Sequence, residues 1–485
     1  MINSILIFPI IAGILMLIVR KRFFDNLMLN LYAILHFVVT LFLVFDKGAQ
    51  ITIPYFAIDG TNRIFLLVLS FVFLMVTIYN NGYSKHLPSF NNIKIKDKKI
   101  CLYWIMTMAF VLSMTGTILS TNLGLAWVLV EATTLTSAYL IYFNRTKSAI
   151  EAAWKYVFIC SIGIALAFVG IIFLNISTGA INTMSYSGLY QYAQSFDPFW
   201  LKLAFVFMVF GFGAKMGLAP VHFWLPDAHS ESPSPISALL SATLLNSAFL
   251  VIVRVFKIMS LAHCDSYARL ILLVMGFLSL FVTAVFVYHI KNYKRMLAYS
   301  SIENMGILAI GTALGGAAYF TVILHLIGHS LAKASFFLTS GNILELFDTK
   351  RIKSISGLMS ADGKTGWLWV LSFLAICAFP TSVLFISEFI MIKKMILDHH
   401  YILCVLFVFL LTVVLYGIGR AVVKMTFGEI SEDKAQILEE NKKKIRQFEN
   451  RAGGRGLCRG EVCGDLLLRP GGRNPLARFR GAHRQ

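Results

Sequence analysis

Charged residues are scarce in this chain. They make up 14% of its 485 residues, while 58% are hydrophobic; a soluble domain carries about 25% charged and 45–50% apolar residues. An ordinary soluble globular protein is excluded. Redox-type cysteine patterns are missing too. The seven cysteines show no Cys-x-x-Cys and no iron–sulfur spacing, and there is no dinucleotide-type glycine motif. Five of the cysteines fall in or beside apolar stretches, where a buried small hydrophobe is the expected role. The chain alone therefore has no means of carrying electrons, and no cofactor, metal or catalytic group is expected in it. No basic region precedes the first apolar run, so no cleavable signal is expected.

What is abundant is apolar sequence. Windows of about 20 apolar residues each cross a bilayer, and thirteen follow one another: 2–19, 27–45, 64–79, 101–120, 123–143, 154–174, 200–219, 235–256, 268–290, 296–314, 317–341, 367–397 and 401–424. The expected fold is an all-α polytopic membrane protein. Its formal net charge of +19 could suggest nucleic acid, but the distribution excludes that partner. Basic clusters follow the first, third, fifth, ninth and eleventh windows, while 175–199, after the sixth, has no lysine or arginine. The positive-inside rule then puts the odd-numbered ends in the cytoplasm, with the N-terminus outside and the end of the thirteenth span inside. The loop after the seventh window is a local exception, because it carries Asp227 and Glu231.

Against this background a few polar residues stand out. The stretch FGFGAKMGLAPVHFWLPDAHSESPSPISALLSATLLN, 210–246, holds Lys215 within an apolar run weakened by glycines and stopped at Pro220. A lysine at the centre of a membrane helix costs roughly 2.5–3.5 kcal/mol on insertion scales. Glu131 lies well inside the fifth window. Thr134 could hydrogen-bond it, but a buried carboxylate calls for a cation or a shared proton, and Lys215 is the expected functional partner. His222 and His229 lie in the loop after Pro220 and are possible members of the same pathway. Asn246, preceded by Ser237, Ser241 and Thr243, sits in the eighth window, where helix packing or bound water would explain it equally.

Glu303 lies in SSIENMG of the tenth window. In FTVILHLIGHSLAKASFFL of the eleventh, His325, His329 and Lys333 recur every fourth residue and share one helix face. Such a row of titratable groups points to proton conduction. The twelfth window breaks at Pro380 and carries Glu388. Broken seventh and twelfth helices, five apart, suggest two inverted five-helix repeats, helices 4–8 and 9–13, a common transporter plan. The expected units are 1–100, 101–256 and 268–424. A charged cytoplasmic helix, 428–450, and an arginine- and glycine-rich tail, 451–485, would follow. The tail has eight arginines and no lysine, against 25 lysines and 10 arginines before it. It is expected to be disordered, and so abrupt a switch suggests a frameshift. His36 in the second window is expected to be a hydrogen-bonded structural residue.

GAKMGLAPVHFWLPDAHSESPSPISALLSA, AYSSIENMG, HLIGHSLAKASFFLTSG and FPTSVLFISEF resemble the antiporter-like, proton-pumping membrane subunits of respiratory complex I, Mrp-type cation/proton antiporters and membrane-bound hydrogenases. The wording YSSIENMG and SALLSATLLN most resembles the hydrogenase-4 or formate hydrogenlyase type. The resemblance implies Glu131 as the helix-five glutamate, Lys215 as the broken-helix lysine, His325, His329 and Lys333 as the linking row, and Glu388 as the terminal group. Many relatives have a lysine where Asn246 stands, and the family usually has a fourteenth helix, where this chain has its tail. It also implies H+ or Na+ as cargo and a prokaryotic cytoplasmic membrane. Other membrane subunits and a peripheral redox arm would be partners, with nickel–iron, iron–sulfur or quinone centres only in those partners. An Mrp-type Na+/H+ antiporter subunit and a structural scaffold are the alternative readings.

Overall fold

A computed structural model describes residues 1–45, 54–86, 97–179, 181, 183–316, 318–430 and 438–443. Of the expected charged helix 428–450, residues 431–437 and 444–450 lie outside these residues, as does the tail 451–485. Helices occupy all thirteen apolar windows: α1 (Ile2–Val19), α2 (Arg22–Phe45), α3 (Gly60–His86), α4 (Asp97–Leu119), α5 (Leu123–Ile141), α6 (Lys147–Ser177), α7 (Pro198–Met216), α8 (Ser234–Leu261), α9 (Asp265–Val287), α10 (Tyr293–Leu314), α11 (Ala318–Phe347), α12 in two pieces, α12a (Gly363–Ile376) and α12b (Val383–Leu397), and α13 (Tyr401–Phe427). Among the described residues eleven helices are long and apolar enough to cross a membrane, so the chain is a multi-span membrane protein. The pieces of α12 are too short singly, at 14 and 15 residues. Polar SSIEN makes α10 less apolar.

Helix ends follow local chemistry. Asn122 Oδ1 accepts from the backbone N–H groups of Gly124 and Leu125, and Thr146, Asp197, Asn292 and Ser382 cap α6, α7, α10 and α12b in the same way. Each cap satisfies N–H groups that have no intrahelical acceptor, which lipid could not do. α7 stops at Gly217, φ 85°, a left-handed conformation that glycine adopts without strain. The freed groups around this break are met by side chains: Trp224 Nε1 donates to Ala214 O at 2.7 Å, and Ala219 N donates to Ser279 Oγ at 2.9 Å.

The acidic exception after α7 has a structural cause. Residues Trp224–Glu231 form a short helix whose acids neutralise the neighbouring basic loops. Asp227 pairs with Lys155 on α6 (3.2 Å) and Arg295 on α10 (2.8 Å), and Glu231 pairs with Lys350 beyond α11 (3.1 Å). Burial pushes the Glu231 carboxyl up, but Lys350 and hydrogen bonds from Ser148 and Ser230 outweigh it and leave the group below the usual carboxylate range. It therefore stays charged at neutral pH, and its clamp loosens only in acid.

Small residues set the closest approaches. α6 and α7 meet at Gly163 and Gly211, where a Cβ added to Gly211 would lie 2.5 Å from Ala167 N and 2.6 Å from Gly163 O. Overpacking of this kind costs about 1–3 kcal/mol or more. Gly211→Val is expected to lower the melting temperature of the detergent-purified chain. An unchanged melting curve would mean the two helices are free to separate.

α1, α2 and α3 pack as a sheath against α4, and α3 also touches α8 and α11. His36 in this sheath is fully buried between Ser70 Oγ (3.0 Å) and Thr115 Oγ1 (2.9 Å), the satisfied structural histidine expected from its position. Neighbours pack in the same succession within α4–α8 and within α9–α13. α8 is enclosed almost all round, and it contains a turn of π-helix at Leu240–Leu244, ahead of Asn246.

Candidate functional site

Lys215 is fully buried in the last turn of α7. Close contact of α6 with α7 carries Tyr156 to it. Lys215 Nζ donates to Tyr156 OH at 2.6 Å and to Thr134 Oγ1 at 2.9 Å, and it lies 4.5 Å from the Tyr156 ring centroid. Thr134 Oγ1 in turn donates to Glu131 Oε2 at 3.0 Å, and Ser161 Oγ donates to Glu131 Oε1 at 3.1 Å. Glu131 and Lys215 thus meet through a threonine hydroxyl one helical turn along α5. Tyr156 OH is also 2.6 Å from Ser137 Oγ, whose proton is directed to Thr133 O, so Tyr156 accepts from Lys215 and donates to Ser137.

Glu131 itself is only half-buried, between exposed Val128 and Leu135 on the outer face of α5. An acid on that face is costly against lipid.

Deeper in, Asn246 donates to Ala242 O (2.8 Å) and to Ser330 Oγ on α11 (2.7 Å), joining α8 to α11. Its Oδ1 has no hydrogen-bond partner among the described residues, and the fully buried His329 faces the Ser241 backbone. Buried polar atoms without protein partners are normally met by water. Ser241 Oγ on α8 lies 2.8 Å from Ser301 Oγ on α10. The π-turn in α8 therefore opens among polar groups, where such turns are often functional.

The row on α11 is buried throughout, but Lys333 and His325 have separate partners. Lys333 Nζ donates to Leu297 O on α10 at 2.7 Å. His325 Nδ1 lies 2.8 Å from Ser387 Oγ on α12b, and its Nε2 lies 3.1 Å from Asn304 Oδ1 on α10. Glu303 is buried within reach of the Lys333 charge, and its own charge reaches Glu388. Glu388 is half-buried. His222 and His229 are buried at the α7 break; His229 stacks on Phe337 of α11, with ring centroids 4.9 Å apart. Burial drops His222 to about 4, and burial with the Lys333 and Lys294 charges holds His229 well below its ordinary range. Both are neutral at physiological pH.

Sequence reasoning missed Tyr156, Ser161, Asn304 and Ser387, because nothing in an apolar helix distinguishes a hydroxyl that faces a buried charge. It also passed over Arg254, near the far end of α8, which is buried against Asp59 (3.1 Å), Ser120 O (2.7 Å) and the Tyr186 ring. Among the described residues no group of three histidines, cysteines or acids could hold a metal ion.

The transmembrane family described as NADH:quinone oxidoreductase/Mrp antiporter matches residues 120–414. The hydrogenase-4 component F homolog of Methylacidiphilum infernorum (isolate V4) is 33% identical over 441 residues, 90% of this chain and 91% of that protein. A chain of the membrane-bound sulfane sulfur reductase, an archaeal respiratory membrane complex, shares the fold with a TM-score of 0.79 at 21% identity, over 93% of this chain and 95% of its own. A chain of the Mrp complex from Dietzia sp. DQ12-45-1b matches with a TM-score of 0.78 at 17% identity, over 89% of this chain and 81% of its own. This chain is a member of the NADH:quinone oxidoreductase/Mrp antiporter transmembrane family.

Proposed function

We propose that this chain is the proton-translocating membrane subunit of a respiratory redox complex of the membrane-bound hydrogenase type, in a prokaryotic cytoplasmic membrane. The observation that carries the reading is Lys215, wholly buried on an interrupted helix and tied through Thr134 to the half-buried Glu131. The interaction of two charges bridged by one hydroxyl varies steeply with their separation where the surroundings are poorly polarisable. A shift of Glu131 toward or away from Lys215 therefore changes the field acting on the lysine's proton. Lys215 would take a proton from the cytoplasm and release it past Asn246, through water and His329, toward Lys333, Glu303 and Glu388.

Two five-helix units, α4–α8 and α9–α13, related by inversion, would place Lys215 and Glu388 at corresponding broken helices; the shared succession of packing supports this plan. Electron transfer belongs to partner subunits. The half-exposed Glu131 favours one such partner against α5, where another subunit would replace lipid.

The cargo is a proton on this reading. Both carboxylate oxygens of Glu131 already accept hydroxyl protons, and the cation beside them is the lysine. Everted vesicles containing the assembled complex are expected to acidify in sodium-free medium. In the same assay Thr134→Val, which removes a hydrogen bond to charged groups worth about 1.5–3 kcal/mol, should slow acidification by roughly tenfold to a hundredfold. An absolute need for sodium would point to cation/proton exchange, and an unaffected Thr134→Val would sever Lys215 from Glu131.

A further inference from the structure

The surroundings of His325 fix which of its nitrogens can exchange a proton. Asn304 Nδ2 donates to Ser300 O at 2.7 Å, so its Oδ1 is the atom facing His325 Nε2 at 3.1 Å. An amide oxygen only accepts, and Nε2 must carry a hydrogen. That leaves Nδ1 facing Ser387 Oγ at 2.8 Å, and the same hydroxyl lies 2.7 Å from Leu384 O. Ser387 has one proton and two acceptors. With neutral His325 the hydroxyl donates to Nδ1; with the imidazolium, Nδ1–H donates to Oγ and the hydroxyl turns to the Leu384 carbonyl. Both states satisfy every group, and they differ by one proton and one rotation. His325 and Ser387 are fully buried and Asn304 nearly so, which removes bulk water as a competitor.

A proton wire through imidazole needs uptake at one nitrogen and release at the other. Here Nε2 is capped by an amide, which does not hand protons on. We propose that Asn304 and Ser387 make His325 a proton store with a single door at Nδ1, opened by the Ser387 hydroxyl, and not a link passing protons along α11. The inference rests on the proton-translocating reading above. Uptake is a transfer from a neutral carboxylic acid. The Ser387 proton moves to Nδ1, Oγ takes the acid's proton, and an imidazolium and a carboxylate result. The titratable groups around the site are His329 and Lys333 on the same helix, Glu303 on α10, Cys377 at the end of α12a and Glu388 on α12b, and the two acids are the donors of the required class. Ser387 relays the proton and Asn304 is a positioning residue, and His325 then acts by its charge, biasing Lys333, Glu303 and Glu388.

The test pairs spectroscopy with flux in vesicles carrying the assembled complex. Nitrogen-15 NMR of histidine-labelled protein, assigned with His325→Gln, should give an Nε2–H signal throughout titration while Nδ1 alone changes. Ser387→Ala should slow redox-driven acidification by at least about tenfold, and Ser387→Thr, which keeps the hydroxyl, should restore it. Asn304→Asp supplies an oxygen that can carry a proton and should raise passive proton leak several-fold, whereas Asn304→Leu should not. An Nδ1–H tautomer with bare Nε2, or Ser387→Ala pumping at the parent rate, overturns the inference. If Ser387→Ala fails to accumulate in membranes, the NMR signal of the parent protein still decides. Lys215 variants that pump normally would instead sink the underlying function.

Discussion

Lys215→Met is expected to leave the chain in the membrane and its partners' electron transfer running, while proton uptake into everted vesicles falls by at least about a hundredfold. Methionine fills nearly the volume of lysine and removes a charge that costs roughly 2.5–3.5 kcal/mol to keep in a span, so the variant should fold as well as the parent. The surrounding hydroxyls retain partners, since Thr134 still donates to Glu131 and Tyr156 still faces Ser137. The structural loss is therefore small and the functional loss large. Proton uptake and donor oxidation, followed together in the same vesicles, check it. Uptake at the parent rate would remove Lys215 from the pathway.

Glu388→Gln should have an effect of similar size for a complementary reason. Unlike Lys215, Glu388 is only half-buried and lies on the second broken helix, within reach of the Glu303 charge. The amide keeps the shape of the side chain and removes its proton-carrying oxygen. The expected result is normal amounts of protein and at least about a hundredfold slower translocation. Glu388→Asp should recover part of the rate, because the acid is restored at a shorter reach. Equal pumping by the glutamine and aspartate variants would make Glu388 a lipid-facing bystander.

Most of the fold was legible because lipid allows few solutions. Apolar windows gave the helices, and Pro220 and Pro380 marked two breaks that the structure contains, at Gly217 and around Ala378–Ser382. The π-turn before Asn246 was not legible: LSATL contains neither proline nor glycine, and the extra residue is accommodated by packing against α10 and α11. Glu131, Lys215 and Lys333 announced themselves by their cost in lipid, as did the spacing of His325 and His329. Their connections did not. Periodicity places His325, His329 and Lys333 on one face, yet Lys333 bonds to α10 while His325 reaches both α10 and α12b, and only the structure reveals Asn304 and Ser387 bracketing one ring. The acidic loop after α7 looked like an exception to the charge rule, because its pairing with Lys155, Arg295 and Lys350 joins segments distant in sequence.

The direct test of a buried lysine working with the glutamate beyond Thr134 is a double-variant cycle. Initial rates of redox-driven acidification are measured for the parent, Glu131→Gln, Lys215→Met and the double variant in one vesicle preparation series. Residues serving a single proton-transfer step give strongly non-additive losses, so the double variant should be no slower than the slower single one. Losses that simply multiply, or a Lys215→Met rate equal to the parent's, would contradict a shared path.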